Sequence, residues 1–103
     1  MSQFDVHINP SRSGRNDRPY VVILQTRFLD HLPTRICAPL FVESAYKAER
    51  RLNPAIRVQG RITHFSPTEL VTLPLRMLGK PVANVEEHRD RIIAALDLVF
   101  LGI

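Results

Sequence analysis

The C-terminal segment, residues 84–103, constrains the fold more than any other stretch of this sequence. Asn84 is a good helix cap, and Glu87 stands three residues later, where it can complete a capping box. Two arcs follow at helical spacing: an apolar one with Ile92, Ile93, Leu96, Val99, Phe100 and Ile103, and an opposite one with Asp90, Ala94, Asp97 and Leu101. The pattern predicts an amphipathic helix, with Leu101 left on its polar face without a packing reason.

Length and composition describe an ordinary water-soluble chain. The 103 residues predict a single domain over 1–103, with 45% apolar and 23% charged residues. There is no apolar run long enough to span a membrane and no basic-then-apolar leader, so a cytoplasmic protein without a membrane partner is expected.

The sequence predicts no metal site and no cofactor. Cys37 is the single cysteine and lies among apolar residues, which favours a buried, unreactive thiol. The histidines are scattered without the spacing of metal ligands: His7, His31, His64 and His88. A phosphate-binding Walker loop and a Gly-x-Ser-x-Gly nucleophile elbow are both missing.

Positive charge is concentrated in the middle of the chain. The formal net charge is +4. Residues 36–64 hold five bases against two acids, a balance of +3, while residues 65–103 hold four bases against five acids, a balance of −1. A basic middle can meet nucleic acid or an acidic protein segment, and a solvated polar face explains it equally well.

Short strands dominate the rest of the sequence. Alternation predicts a half-buried strand at 3–8, and β-branched runs predict strands at 20–24 and 35–40. Residues 55–58 and 61–65 flank Gln59-Gly60 as a β-hairpin would, residues 68–73 lead into another strand that closes by residue 78, and residues 9–19 and 29–34 have loop and turn chemistry. One or two helical turns are predicted within 41–52. The whole favours a mostly β, antiparallel, barrel-like sheet with the C-terminal helix packed against it.

One enzymatic interpretation is open at this point. Arginines that stabilise phosphate charge and a histidine acting as acid or base could cleave RNA, with Arg12, Arg15, Arg18 and His64 as candidates. Nothing in the sequence links these four in space, and separate surface charges are the simpler interpretation.

The order of several short motifs resembles the CcdB family, the toxins of ccd toxin–antitoxin modules. The ending AALDLVFLGI is similar to the family's aliphatic helix followed by Phe-Trp-Gly-Ile. Further similarities occur in family order along most of the chain: Gln3-Phe4, Val22-Ile23-Leu24-Gln25, Leu29-Asp30, Pro39-Leu40, Leu73-Pro74-Leu75, Leu78-Gly79 and Val82-Ala83. The chain departs from the family at Leu101, which replaces the tryptophan.

The resemblance implies a fold and a function. The fold is an SH3-like small barrel with a three-stranded wing and a C-terminal helix, shared with the MazF and Kid ribonuclease toxins. The protein is then a homodimer, neutralised by a CcdA-like antitoxin with a disordered acidic tail. The resemblance further implies that the protein poisons DNA gyrase by binding the A subunit of that enzyme and trapping the cleaved-DNA complex. It implies no catalysis by the toxin and no direct nucleic-acid recognition. The alternatives are a ribonuclease toxin on the same fold, or a non-toxic member that keeps antitoxin binding.

The resemblance also implies two sets of binding residues. Gyrase contacts carry over to Phe28, Asp97, Phe100, Leu101, Gly102 and Ile103. Antitoxin contacts carry over to the loop residues Asn9, Pro10, Ser11, Arg12, Ser13 and Gly14, and the basic middle adds Arg57 and Arg61 for an acidic tail. The exposed position of Leu101 suits insertion into a partner, although packing across a dimer interface would also explain it.

Overall fold

One antiparallel sheet, curved into a near-closed barrel, organises the computed structural model, which describes residues 1–44 and 46–103. Its seven strands are β1 Asp5–Ile8, β2 Tyr20–Ile23, β3 Thr34–Phe41, β4 Ala55–Val58, β5 Arg61–Phe65, β6 Val71–Pro74 and β7 Ala83–Asn84. The order is β4-β5-β3-β2-β1-β7, and β6 also pairs with β3. The predicted SH3-like small barrel with a C-terminal helix is confirmed.

The long strand β3 lets the sheet close. One of its edges pairs with β2. The other edge is divided, because β6 pairs with residues 34–37 and β5 pairs with Leu40 and Phe41. Strands β3, β5 and β4 therefore lie side by side at one end, which fits the expected three-stranded wing.

The core consists of two clusters on opposite faces of β2. Tyr20 and Val22 belong to the larger cluster, whereas Val21 and Ile23 pack with Cys37 in the smaller one. All four residues of β2 are buried, which explains why this segment of the sequence is a continuous apolar run. Cys37 is fully buried, as its apolar neighbours predicted.

The predicted β4–β5 hairpin is confirmed, with a two-residue turn. Val58 pairs with Arg61 across the turn. Gln59 and Gly60 both have positive φ, 51° and 78°. Positive φ at both central positions defines a type I′ turn, whose twist matches that of the flanking strands and which favours glycine.

The C-terminal helix α1 spans Arg89–Leu101, so the predicted start at residue 84 is wrong. Asn84 lies in β7 opposite Asp5, and its side chain donates to the Asp5 carboxylate at 2.9 Å. Its side-chain oxygen accepts the Glu86 N–H at 3.0 Å, just before a 3-10 turn at Glu86–His88 whose N-cap is Val85. Asn84 therefore pairs within the sheet instead of capping α1, and the predicted capping box with Glu87 does not form.

The apolar arc of α1 is only partly confirmed. Ile92 and Ala95 are buried, and Leu96 packs against the larger core cluster. Phe100 and Ile103, which the pattern placed on the same packed arc, are exposed. Core contact is therefore confined to residues 92–96, and the end of the helix extends beyond the core.

The helical turns predicted within 41–52 are wrong for the described residues, none of which is helical; Ala45 lies outside them. Phe41 instead completes β3. Tyr46 packs edge-on against the Phe41 ring, with 5.6 Å between centroids, and Arg18 lies over the Tyr46 ring at 4.6 Å. Tertiary aromatic contacts thus override a weak local helical preference. Elsewhere in the described chain, no helix has the length and apolar character to cross a membrane.

Candidate protein-binding site

The end of α1 presents an apolar surface, here called the tip and defined as residues 99–103. Phe100 and Leu101 are each 66% exposed, and Ile103 is 74% exposed. Gly102 ends the helix in the left-handed region at φ 76°, and its N–H bonds to the carbonyls of Asp97 and Leu98, both at 3.2 Å. The backbone alone holds the tip in place, and its side chains remain free to contact a partner.

Asp97 supports the tip through its backbone. Its carbonyl accepts a hydrogen bond from the Gly102 N–H. Its half-buried side chain forms no ion pair or hydrogen bond with other described residues. A carboxylate two residues before the tip can therefore pair with a basic group on a partner.

Phe28 forms a second exposed patch. Its ring is 89% exposed and stands on a 3-10 turn at Arg27–Leu29, whose N–H at Phe28 bonds to the Thr26 hydroxyl at 3.4 Å. The shallow pocket beside it is lined by Gln3, Thr26 and Arg27 and contains no residue of α1. Within one chain, the six predicted target-binding residues therefore divide into the tip with Asp97 and a separate patch at Phe28.

The β1–β2 loop, residues 9–19, is organised around Asn9. Its side chain accepts the Ser11 N–H at 3.0 Å and donates to the Arg18 carbonyl at 2.8 Å. Arg15 donates to the Asn9 carbonyl at 2.6 Å. Since Asn9 is only 8% exposed and uses both ends of its amide, its first role is to hold the loop together.

An apolar groove of about 260 Å³ runs beside this loop. Its lining consists of loop residues and strand residues: Asn9, Pro10, Ser11, Arg18, Val21, Pro39, Glu69, Val71, Leu73 and Met77. Arg18 and Glu69 form an ion pair at 2.7 Å. Partial burial acts to raise the pKa of Glu69, but the bonds from Arg18 and Ser66 outweigh it and lower that pKa. The groove can accept an apolar peptide segment beside a fixed pair of charges.

Arg57 and Arg61 lie apart from that groove. Both are exposed on the β4–β5 hairpin, and Arg57 donates to the Gly60 carbonyl at 3.4 Å. Neither lines the groove beside the loop. The predicted antitoxin-binding residues therefore fall on two surfaces, and a single partner would have to reach both.

The ribonuclease candidates are not brought together. Arg15 and Arg18 are engaged with Asn9 and Glu69 beside the β1–β2 loop. His64 lies on β5 and lines a different cavity with Arg50 and Arg91. The described residues also contain no group of three or more His, Cys, Asp or Glu side chains able to hold a metal ion.

Sequence reasoning missed the meeting of Arg50, Arg51 and Arg91. These residues line one cavity between α1 and the segment before β4. The Arg50-Arg51 pair was visible within the basic middle of the chain. Arg91 lies on the helix, far along the sequence, and only the fold brings it near.

Comparison with protein families gives one match over nearly the whole chain. The family model described as CcdB protein matches residues 3–102. A search of curated proteins gives no match to this chain.

Proposed function

Because the chain belongs to the CcdB family of toxins from toxin–antitoxin modules, we propose that it inhibits DNA gyrase by binding the A subunit of that enzyme and trapping the cleaved-DNA complex. The toxin acts by binding, and the chemistry on DNA remains that of the gyrase. We propose further that it works as a homodimer in the cytoplasm, where gyrase and the chromosome are found.

The observation that carries this proposal is the exposed tip of α1. Phe100, Leu101 and Ile103 keep most of their surface in water, at the end of a helix whose first half is anchored in the core. Burying one such side chain in a partner contributes roughly 1.5–3 kcal/mol. An anchored helix that presents apolar side chains has the features of an interface hot spot.

Leu101 sets the strength of the proposed interaction. The tryptophan that the family resemblance leads us to expect at this position offers a flat π-face to a partner arginine, and leucine offers apolar area alone. We therefore expect binding to gyrase to be weaker than with tryptophan. A chain that has lost toxicity but still binds its antitoxin is the limiting case of this effect.

We propose that a CcdA-like antitoxin uses the groove beside the β1–β2 loop. The apolar lining suits hydrophobic residues of a disordered tail, and Arg57 and Arg61 on the hairpin suit its acidic residues. Attraction between exposed charges is screened by salt, so the affinity should fall as the ionic strength rises.

The direct test is to mix the purified chain with the purified gyrase A subunit, then with the whole enzyme and supercoiled DNA. We expect a stable complex, inhibited supercoiling and an accumulation of cleaved DNA. Phe100→Ser should weaken all three effects, whereas Ile62→Ser should leave them unchanged, since Ile62 is exposed on the hairpin and outside the tip. A wild-type chain that neither binds the gyrase A subunit nor traps cleaved DNA would refute the proposal.

A ribonuclease activity has less support, because His64 lies apart from Arg15 and Arg18. Incubation with a long messenger RNA separates the two functions. We expect intact RNA, and cleavage that His64→Gln removes would favour the ribonuclease instead.

A further inference from the structure

The cavity between α1 and residues 50–54 contains three arginines without an acidic partner. Arg50 and Arg51 contribute from the segment before β4, and Arg91 from the start of α1, around a volume of about 320 Å³. We call this cavity the arginine cleft. None of the ion pairs among the described residues includes these three side chains. Their positive charge is thus available to a ligand.

Arg91 is held in place without losing its charge. Its guanidinium donates to the Ala55 carbonyl at 2.7 Å and lies 2.5 Å from Nδ1 of His88. Partial burial lowers the pKa of His88 and the nearby Arg91 lowers it further, against an opposing effect of Glu87, which favours the neutral ring that can accept this bond. Neutral acceptors orient the guanidinium, and the cleft keeps the full positive charge.

A second observation comes from an adjoining cavity of about 360 Å³, which shares Arg50 and Arg91 with the arginine cleft. His64 lines it, is 8% exposed, and has Nδ1 3.2 Å from the Asn53 carbonyl. Its Nε2 has no hydrogen-bond partner in the described part of the chain, and the Glu43 carboxylate stays 3.9 Å away. Because Nδ1 faces a carbonyl and therefore carries the proton, Nε2 of the neutral ring is an acceptor. This position favours a hydrogen-bond donor, such as a water that bridges to a phosphate oxygen.

We propose that the arginine cleft binds the phosphate backbone of DNA, so that the toxin contacts the cleaved DNA as well as the gyrase protein. This rests on the proposed function. Ile103 of the tip lines the same cleft, so a ligand there lies beside the bound target. Beside a bound topoisomerase, the abundant polyanion is DNA, and arginine forks match phosphate oxygens.

The contact is with phosphates and carries no sequence information. The sequence led us to expect no direct nucleic-acid recognition, and the cleft changes that expectation to sequence-independent DNA contact. An acidic peptide is the other polyanion that could enter the cleft. The acidic antitoxin tail is already assigned to Arg57 and Arg61 and to the groove beside the β1–β2 loop, none of which lines the cleft, so the cleft is assigned to DNA.

The test is the salt dependence of binding to a short DNA duplex of arbitrary sequence, measured by fluorescence anisotropy with the full chain and no gyrase. Neutralising about three phosphates gives a slope of about −2.7 for log K against log salt, or about 40-fold weaker binding between about 50 and about 200 mM salt. Arg50→Gln with Arg51→Gln should reduce the slope to about −0.9. Arg50→Lys with Arg51→Lys should keep it, because the charge remains.

The matched control is Arg76→Gln with Lys80→Gln, which removes the same charge from exposed positions outside the cleft. This control should leave the slope near its wild-type value. Equal weakening by both pairs would show diffuse attraction and overturn the proposal, as would no binding at low salt. Tighter binding of poly-glutamate than of DNA at the cleft would reassign it to an acidic peptide.

Failure of the gyrase proposal can be recognised separately. Binding to the isolated gyrase A subunit without DNA should be unchanged in Arg50→Gln with Arg51→Gln, while trapping of cleaved DNA should decrease. A wild-type chain that binds DNA through the cleft but does not bind gyrase would overturn the gyrase target alone. If trapping is unchanged in the double variant, the cleft has no part in the poisoned complex.

Discussion

The tip and the β1–β2 loop are both candidate binding surfaces, but they differ in how far folding depends on them. Phe100 and Leu101 at the tip are two-thirds exposed and follow a helix that is already anchored. Asn9 in the loop is buried, and its amide joins Ser11 to Arg18. Tip side chains are therefore available for binding alone, whereas Asn9 serves folding and presents its neighbours to a partner.

Variants in the two regions should therefore be interpreted differently. A tip variant that loses its partner reports on the interface directly, because the fold has little contact to lose there. A variant at Asn9 changes the loop before it changes any contact with an antitoxin. The free energy of unfolding and the binding affinity therefore have to be measured together. Tip variants should change the affinity alone, whereas loop variants should change both.

The largest effect is expected for Phe100→Ser combined with Leu101→Ser. Loss of two apolar anchors should weaken binding to the gyrase A subunit by about 3 kcal/mol, or roughly 150-fold, while the free energy of unfolding changes by about 0.5 kcal/mol or less. Calorimetric titration and urea denaturation measure the two quantities. A large loss of stability that depends on protein concentration would show instead that the tip packs across a dimer interface.

Asn9→Ala should lower the free energy of unfolding by about 2 kcal/mol, because it leaves the Ser11 N–H and the Arg18 carbonyl without their partner. Affinity for an antitoxin tail should fall with it. Ser13→Ala is the matched control, since Ser13 is exposed in the same loop, and it should change stability by about 0.5 kcal/mol or less. An Asn9→Ala protein of unchanged stability would remove the contrast between the two regions.

Leu101→Trp should strengthen binding to the gyrase A subunit by about 1 kcal/mol, or roughly fivefold, through aromatic area and cation–π contact. Growth arrest on expression should increase in parallel. Ile62→Trp places the same side chain on the exposed hairpin and should have no effect on the affinity. If Leu101→Trp is no tighter than wild type, the leucine does not limit binding.

The smallest effect concerns pH at the groove beside the loop. Because the folded pKa of Glu69 lies below its ordinary value of 4.5, its ion pair with Arg18 stabilises the fold above that value and is lost as the pH falls through the folded pKa. The partly exposed pair contributes only about 0.2–1 kcal/mol after solvent screening. Glu69→Gln should remove this part of the acid dependence in denaturation measured from neutral pH downward, and an unchanged profile would contradict it.

The strands were predictable because their signals are local. The β-branched run of β2 and the Gln59-Gly60 turn specify structure within a few residues. The start of α1 was not predictable in this way, since Asn84 is drawn into pairing with Asp5, a contact between the two ends of the chain. The failed helical prediction at 41–52 has the same cause, because Tyr46 packs on Phe41 and Arg18.

The candidate sites show the same contrast between local sequence signals and long-range contacts. The pattern of α1 identified Leu101 as exposed, because helical periodicity alone places it opposite the packed arc. The burial of Asn9 depends on bonds that close its loop, and the arginine cleft depends on α1 packing near residues 50 and 51. Neither follows from spacing along the sequence.

Because Cys37 is buried, its reactivity can report how often the barrel opens. Burial raises the pKa of this thiol to about 11, and the reactive species is the thiolate. At neutral pH a maleimide should therefore label Cys37 only when the barrel opens around it, and the labelling rate measures how often that happens. The single cysteine allows every variant above to be compared for opening without an added probe.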